Sequence, residues 1–252
     1  GQLNAPYPAT LSPVAFSALG NTISDIHMNV AGACALNTAA DVLCWGTNLT
    51  GNLGNATGIN SRTLFPVSSV SGLKGRALAA HASLPQSHVC AVTFANDLWC
   101  WGSNSSSQLG RGTSATPSWQ PAPATLVTQH VVSAVVGGDA TCAIHPGGKA
   151  SCWGDNSRGR LGIGGVAEYQ PTGNRTGIVA APGAMLMGDA AIAQLSVSHV
   201  KSCAALADGS VRCAGPAVTV GSTSIPSSTA FAVDGFGPKL STYTAPTIMQ
   251  AT

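Results

Sequence analysis

The sequence predicts an all-β protein: a propeller-like array of about four four-stranded blades that is incomplete as a ring. Three observations predict it. A phrase of the form Cys, nine residues, Cys-Trp-Gly-x-Asn, then Leu-Gly recurs along the 252-residue chain with its internal spacing unchanged. Apolar residues run at period two or in short blocks bounded by Gly, Pro and Asn, and no ten-residue stretch combines helical periodicity with caps. Successive first cysteines lie 56, 52 and 61 residues apart, room for four short strands per unit. One such sheet cannot hide both faces, but sheets stacked around an axis can.

The phrase is fullest at Cys142–Gly162, with Cys152-Trp153-Gly154-Asp155-Asn156 and Leu161-Gly162. Cys34–Gly54 carries Cys44-Trp45-Gly46-Thr47-Asn48 and Leu53-Gly54. Cys90–Gly110 carries Cys100-Trp101-Gly102-Ser103-Asn104 and Leu109-Gly110. A fourth copy, Cys203–Cys213, has Ala214 in place of the tryptophan and lacks the Asn and Leu-Gly.

Residues i and i+10 oppose each other in a hairpin whose turn is centred on i+5, which requires a loop with an odd number of residues. The centres are Ala39, Ala95, Gly147 and Asp208. Asn96, Gly148 and Gly209 beside them tolerate left-handed backbone. Directly opposed, non-hydrogen-bonded residues have Cα atoms about 4.5 Å apart, at the short end of the disulfide range. The expected bonds are therefore Cys34–Cys44, Cys90–Cys100, Cys142–Cys152 and Cys203–Cys213, each contributing about 2–3 kcal/mol by closing a small loop. Zinc sites favour two to four residues between paired cysteines, not nine. Eight locally paired cysteines argue for an oxidising, extracellular or cell-surface compartment.

Taken in order, residues 1–31 open on Gly1-Gln2-Leu3, similar to the tail of a repeat, followed by Pro-rich residues and an alternating stretch, Ile23–Val30. Repeat one continues through Leu64–Val67 and Leu78–Ala80. Repeat two continues through Trp119-Gln120-Pro121 and Val131–Val136. Repeat three continues through Tyr169-Gln170-Pro171 and Ile192–Val197. Each repeat thus offers a strand after Leu-Gly, a strand before the first Cys, and two hairpin arms. The repeats occupy residues 1–215. Residues 216–252 are rich in Ser, Thr, Pro and Gly and supply a final strand or tail, with Ala230–Val233 an apolar piece.

Only 8% of residues are charged, against about 25% in ordinary soluble domains, and the net charge is +2. No basic stripe supports a nucleic-acid partner. No run of 18 apolar residues predicts a membrane span; Gly177–Val197 is interrupted by Pro182, Gly188 and Asp189. Sequons stand at Asn48, Asn55, Asn104 and Asn174. Asn48 and Asn104 lie inside the repeat phrase, where the side chain caps a turn. Asn55 and Asn174 lie in loops and are the stronger candidates for N-glycans. Trp45, Trp101 and Trp153 recur at equivalent places and are expected to pack between blades, with a carbohydrate-stacking row as the alternative. The neighbouring glycines allow close backbone approach.

The phrase Cys-Ala-[Leu/Val/Ile], turn, Cys-Trp-Gly-x-Asn, x-Leu-Gly resembles the RCC1-type repeat of the regulator of chromosome condensation family, in the cysteine-paired version of secreted proteins. Residues 34–54, 90–110 and 142–162 carry the resemblance well and 203–213 weakly. It implies blades of a propeller that usually has seven, so about four repeats leave the ring open. Nucleotide exchange, the activity of the family's nuclear founder, is not implied, because its exchange-surface residues have no counterpart here.

No nucleophile elbow, His-Glu-x-x-His or P-loop occurs. The six histidines, at 27, 81, 88, 130, 145 and 199, are scattered, and Asp139, Asp155 and Asp208 sit near turns. No catalytic residue, metal site or cofactor is predicted. Two function classes remain: a non-enzymatic extracellular structural subunit of a filament, appendage or matrix, and a secreted recognition module that binds a protein or glycan through one face. The expected partner is a protein, either copies of this chain or the rest of a longer one, contacted mostly through residues 1–30 and 216–252.

Overall fold

The computed structural model describes residues 22–28, 32–48, 50–55, 61–81, 87–112, 122–123, 125, 127, 130–157, 159–164, 177–215, 219–220, 223–224 and 227–232. Its ordered elements are antiparallel strands, with one 3₁₀ turn at Pro146–Gly148 and no α-helix among the described residues. Blade one runs β1 (Ile23–Met28), β2 (Gly32–Asn37), β3 (Asp41–Asn48) and the first part of β4 (Ser61–Ala80). The long β4 continues as the first strand of blade two, beside β5 (His88–Thr93), β6 (Leu98–Gly102) and β7 (Ala122–Pro123). Blade three is β8 (Ser133–Gly137), β9 (Ala140–His145), β10 (Lys149–Asp155) and β11 (Ile178–Ala184). Blade four begins with β12 (Ile192–Val197), β13 (Ser202–Leu206) and β14 (Val211–Gly215). A two-strand ribbon follows, β15 (Thr219–Val220) and β16 (Thr223–Ser224), and β17 (Ser227–Ala232) then pairs with β14. Every blade therefore has one strand before the cysteine hairpin, its two arms, and one strand after it.

The hairpin register sets each cysteine directly opposite its partner. All four bonds are formed, with Cα atoms 4.0–4.1 Å apart. The residue six beyond each first cysteine is left-handed: Ala40 (φ 66°), Asn96 (65°), Gly148 (71°) and Gly209 (84°). In the first hairpin an alanine holds this conformation, which costs about 1–2 kcal/mol. Its surroundings hold the turn closed. The Gly75 amide donates to the Ala40 carbonyl, Lys74 Nζ donates to the Ala39 carbonyl, and the Asp41 amide donates to Asn37 Oδ1.

Among the described residues three apolar cores lie between blades, and a fourth, smaller cluster gathers Ala33, Ala35, Trp45 and Ile23 of blade one. Cys34, Leu36, Val42 and Cys44 of blade one pack on Leu78, Val89, Ala91 and Trp101 of blade two. Cys90, Val92, Leu98 and Cys100 pack on Val136, Ala143 and Trp153 of blade three. Cys142, Ala150 and Cys152 pack on Leu195, Val197, Ala204 and Ala214 of blade four. The disulfides are thus part of the apolar face that each blade shows to the next.

Several expected segments lie elsewhere or outside the described residues. Gly1-Gln2-Leu3, Trp119-Gln120-Pro121, Tyr169-Gln170-Pro171, Asn174 and residues 233–252 lie outside them. The strand after the hairpin of blade three is β11, within the apolar stretch read above as interrupted by Pro182. An outer strand tolerates proline because one edge needs no amide donors.

Candidate interaction surface

Each blade has a disulfide face and an opposite face, and the seams between blades show what these faces recognise. On the opposite face stand the residues flanking the first cysteine, the tryptophan, and two side chains of the preceding strand. In blade two these are Val89, Ala91 and Trp101, with Leu78 and Ala80 paired across from Ala91 and Val89. The loop after the previous blade's hairpin closes over the tryptophan. Asn48, Asn104 and Asn156 shape that loop: their Oδ1 atoms accept from the amides of Leu53, Leu109 and Leu161 at 3.1, 3.0 and 2.9 Å. The leucines enter the core fully buried, and the glycines after the first two, Gly54 and Gly110, lie on the next tryptophan. A Cβ on Gly54 (φ 61°) would stand 2.8 Å from Trp101 Nε1, and one on Gly110 2.9 Å from Trp153 Nε1. The indoles donate to the Asn52 and Gln108 carbonyls at 3.0 and 2.9 Å.

The fourth blade shows why its tryptophan is dispensable. Gly162 faces Ala214, and the side chains of Met187 and Met185 approach the same place. Two flexible thioether side chains occupy the volume an indole fills elsewhere. Ala214 is still followed by a glycine because Gly215 (φ 129°) passes the Val200 carbonyl too closely for a Cβ.

A polar layer joins blades two, three and four where the preceding strands turn into the hairpins. The Thr141 hydroxyl donates to the Gln108 carbonyl at 2.8 Å, leaving its oxygen to accept from His88 Nε2 at 2.7 Å. His88 is fully enclosed. Burial, together with positive charge from His81 and Arg160, pushes its pKa down to about 3, so it is neutral at ordinary pH. Arg160 is also buried; Nη1 donates to the Ser198 carbonyl at 2.8 Å and Nη2 lies 3.4 Å from Asp155. Burial lowers its pKa, opposed by Asp155 and Asp139. Burial lowers Arg111 to about 10, leaving it cationic at neutral pH. These groups stitch seams; none is presented to solvent as a reacting set. Among the described residues no three His, Cys, Asp or Glu side chains come together as metal ligands. Among them there is also no helix long and apolar enough to cross a membrane.

The residues singled out in the sequence divide accordingly. Trp101 and Trp153 have no exposed surface, and Trp45 packs with Ala33, Ala35 and Ile23. None of the three offers a stacking platform. Asn48 is fully buried as a loop cap, which leaves no room for a glycan; Asn104 is exposed and Asn55 half-buried. The sequence did not reveal the seam residues His88–Thr141, Arg160 and the Met185–Met187 pair, because each acts across a repeat boundary.

Among the described residues, blades one and four carry side chains that are less enclosed than their counterparts in the seams, although Ala33, Ala35 and Trp45 of blade one are buried. On blade one, Ile26 and Met28 stand opposite Ala35 and Ala33, each 54% exposed. Their counterparts in blade four, Leu195 and Val197, are 7% and 3% exposed. On blade four, Cys203, Ala205 and Val211 are half-buried, whereas Cys34, Leu36 and Val42 of blade one are buried.

The regulator of chromosome condensation (RCC1) repeat matches residues 96–144, and a second model of that repeat matches 131–160. Human E3 ubiquitin-protein ligase HERC2 is 29% identical over 133 residues, 52% of this chain but 3% of that protein. The Arabidopsis thaliana ultraviolet-B receptor UVR8 is 26% identical over 160 residues, 61% of this chain and 34% of that one. This chain thus spans 3% of one of these curated relatives and 34% of the other. Human WBSCR16 superposes with a TM-score of 0.66 at 16% identity, covering 84% of this chain and 52% of that one. Yeast RCC1 (Prp20), solved bound to Kap60, superposes with a TM-score of 0.54 at 14% identity, covering 84% and 64%. The fold is that of RCC1 β-propellers, and residues 96–160 match the RCC1-type repeat.

Proposed function

We propose that the protein is a non-enzymatic structural module of the cell exterior, a disulfide-stapled propeller segment that serves as a subunit of a surface filament, appendage or matrix. The observation that carries this reading is the position of the disulfides. Three of the four are fully enclosed in the seams between blades, so the seams are built around oxidised sulfur and suit an oxidising compartment. The protein works through contact with other proteins. Its buried charged groups are spent on structure, and the relative solved with a partner chain, yeast RCC1, is bound to the protein Kap60. Asn55 and Asn104 are the described positions suited to N-glycans, and Asn174 is a third candidate by sequence.

One observation favours the second reading, a secreted recognition module: Phe94, at the tip of the second hairpin, is 66% exposed. An aromatic at such a tip suits an anchor for a bound protein or glycan.

Fractionation of the producing cells under a thiol-blocking reagent tests the compartment. The protein is expected in the extracellular or surface fraction with all eight cysteines unreactive. Recovery from the cytosol with reactive thiols overturns the proposal.

A further inference from the structure

Two imidazoles in this chain meet a hydroxyl at 2.7 Å, and the two pairs have opposite polarity. In the first, the Thr141 proton is committed to the Gln108 carbonyl, so the His88 ring donates and the enclosed hydroxyl accepts. The second pair is His145 and Ser151, beside the Pro146–Gly148 turn of blade three. His145 Nδ1 lies 2.9 Å from the His130 carbonyl oxygen. A carbonyl oxygen only accepts, so Nδ1 carries the proton. In the neutral ring Nε2 is then an acceptor, and the Ser151 hydroxyl donates to it at 2.7 Å.

Strand pairing and packing hold both members in place. β9 and β10 run antiparallel, with Lys149 opposite His145 and Ser151 opposite Ala143. His145 and Ser151 each stand an odd number of places from the cysteine of their strand, so they share the face that bears Trp153, away from the disulfide. His145 is 5% exposed, and contacts at both ring nitrogens fix its plane. Ser151 is half-buried, unlike the enclosed Thr141. Its direct neighbours on the adjoining strands are Ala143 of β9 and Ala184 of β11, both small, and Ala184 is exposed. The Ala184 side is where a small molecule reaches the hydroxyl. A hydroxyl held against an acceptor imidazole, whose other nitrogen is fixed by a third group, is the arrangement that activates a serine as a nucleophile.

We propose that Ser151 is an acyl-accepting nucleophile, with His145 as its general base, and that it takes a small acyl group from a carboxylic ester. Ser151 Oγ attacks the ester carbonyl carbon while its proton passes to His145 Nε2. The bond from that carbon to the alkoxy oxygen then breaks, and the imidazolium returns the proton to the leaving alcohol. The products are O-acyl Ser151 and a free alcohol, with no change of oxidation state. The event is a covalent modification of the chain. It goes beyond the structural role proposed above and does not depend on it.

The test treats the full chain, oxidised, with p-nitrophenyl acetate at about pH 8, where a free imidazole is neutral. Peptide mapping then locates the acetyl groups. Ser24 is the internal control, since it is exposed and its hydroxyl donates to the Leu36 carbonyl instead of an imidazole. General-base activation contributes about 100-fold or more, so Ser151 is expected to gain acetyl faster than Ser24 by at least that factor. His145→Gln retains a donor for the His130 carbonyl but is no base, and is expected to bring Ser151 down to the Ser24 rate. A fluorophosphonate probe, which needs no variant, is expected to modify Ser151 in the wild-type chain. Disulfide mapping of each sample shows that the blades are intact. Acetylation of Ser151 no faster than that of Ser24 overturns the proposal. So does a Ser151 left untouched by the fluorophosphonate, or labelling undiminished in His145→Gln with its four disulfides formed.

Discussion

Trp101→Ala tests the seam most sharply when combined with Gly54→Ala. Trp101 has no exposed surface, lies under the Leu53-Gly54 loop, and donates its indole N–H to the Asn52 carbonyl. Truncating a fully buried tryptophan costs about 3–5 kcal/mol. The abandoned carbonyl adds about 1 kcal/mol. At about 2–4 °C per kcal/mol for a chain of this size, the melting temperature should fall by about 8–24 °C. Gly54→Ala alone carries two costs. The left-handed backbone at φ 61° disfavours a Cβ by about 1–2 kcal/mol, and the Cβ meets a rigid indole at 2.8 Å, an overpacking cost of about 1–3 kcal/mol. In the Trp101→Ala background the second cost disappears and the first remains. Denaturant unfolding of the two single variants and the double variant should therefore give a coupling of about 1–3 kcal/mol. Strict additivity would show that the loop and the tryptophan do not touch and would sink this account of the seam.

Three further perturbations follow from particular side chains. The His88 pKa lies near 3 in the folded chain, below the unfolded value of about 6.5, so the unfolded state binds the extra proton between these limits. The stability due to neutral His88 is complete above about pH 6.5 and is lost as pH falls, at up to about 1.4 kcal/mol per unit; His88→Gln should flatten that slope in melts from pH 7 to 4.5. Ala40→Gly should raise stability by about 1 kcal/mol in denaturant titrations, because glycine adopts φ 66° without a Cβ penalty; a loss would mean the turn is not left-handed. Cys203 is half-buried whereas the other cysteines are enclosed, so limited reduction followed by alkylation should label Cys203 and Cys213 first; labelling of Cys90 or Cys142 before them would contradict the exposed blade-four face.

The sequence shows the local part of this design and hides the rest. Ten-residue cysteine spacing, with Asn96, Gly148 and Gly209 one place past the turn centre, fixes hairpin register because a hairpin is built from neighbours. Ala40 escaped notice because its left-handed backbone is held by Lys74 and Gly75, more than thirty residues away. The strands Ile192–Val197 and Leu78–Ala80 are readable because their apolar residues face a seam. Ile178–Ala184 is not, since an outer strand carrying Pro182 and Gly183 lacks an alternating pattern. The pairing of each Leu-Gly with the tryptophan of the following repeat is invisible for the same reason as the His88–Thr141 bond. Spacing within a phrase is local, whereas the contact joins positions about fifty residues apart. The replacement of an indole by Met185 and Met187 opposite Ala214 leaves no periodic mark at all.

The measurement closest to the central claim is a peptide map of the natively purified, non-reduced protein. An array of propeller blades, each stapled across its own hairpin, should yield four cross-linked pairs, Cys34–Cys44, Cys90–Cys100, Cys142–Cys152 and Cys203–Cys213, with no free thiol. Free cysteines, or links that join one repeat to another, would contradict the hairpin register, the seams built on it and the extracellular reading together.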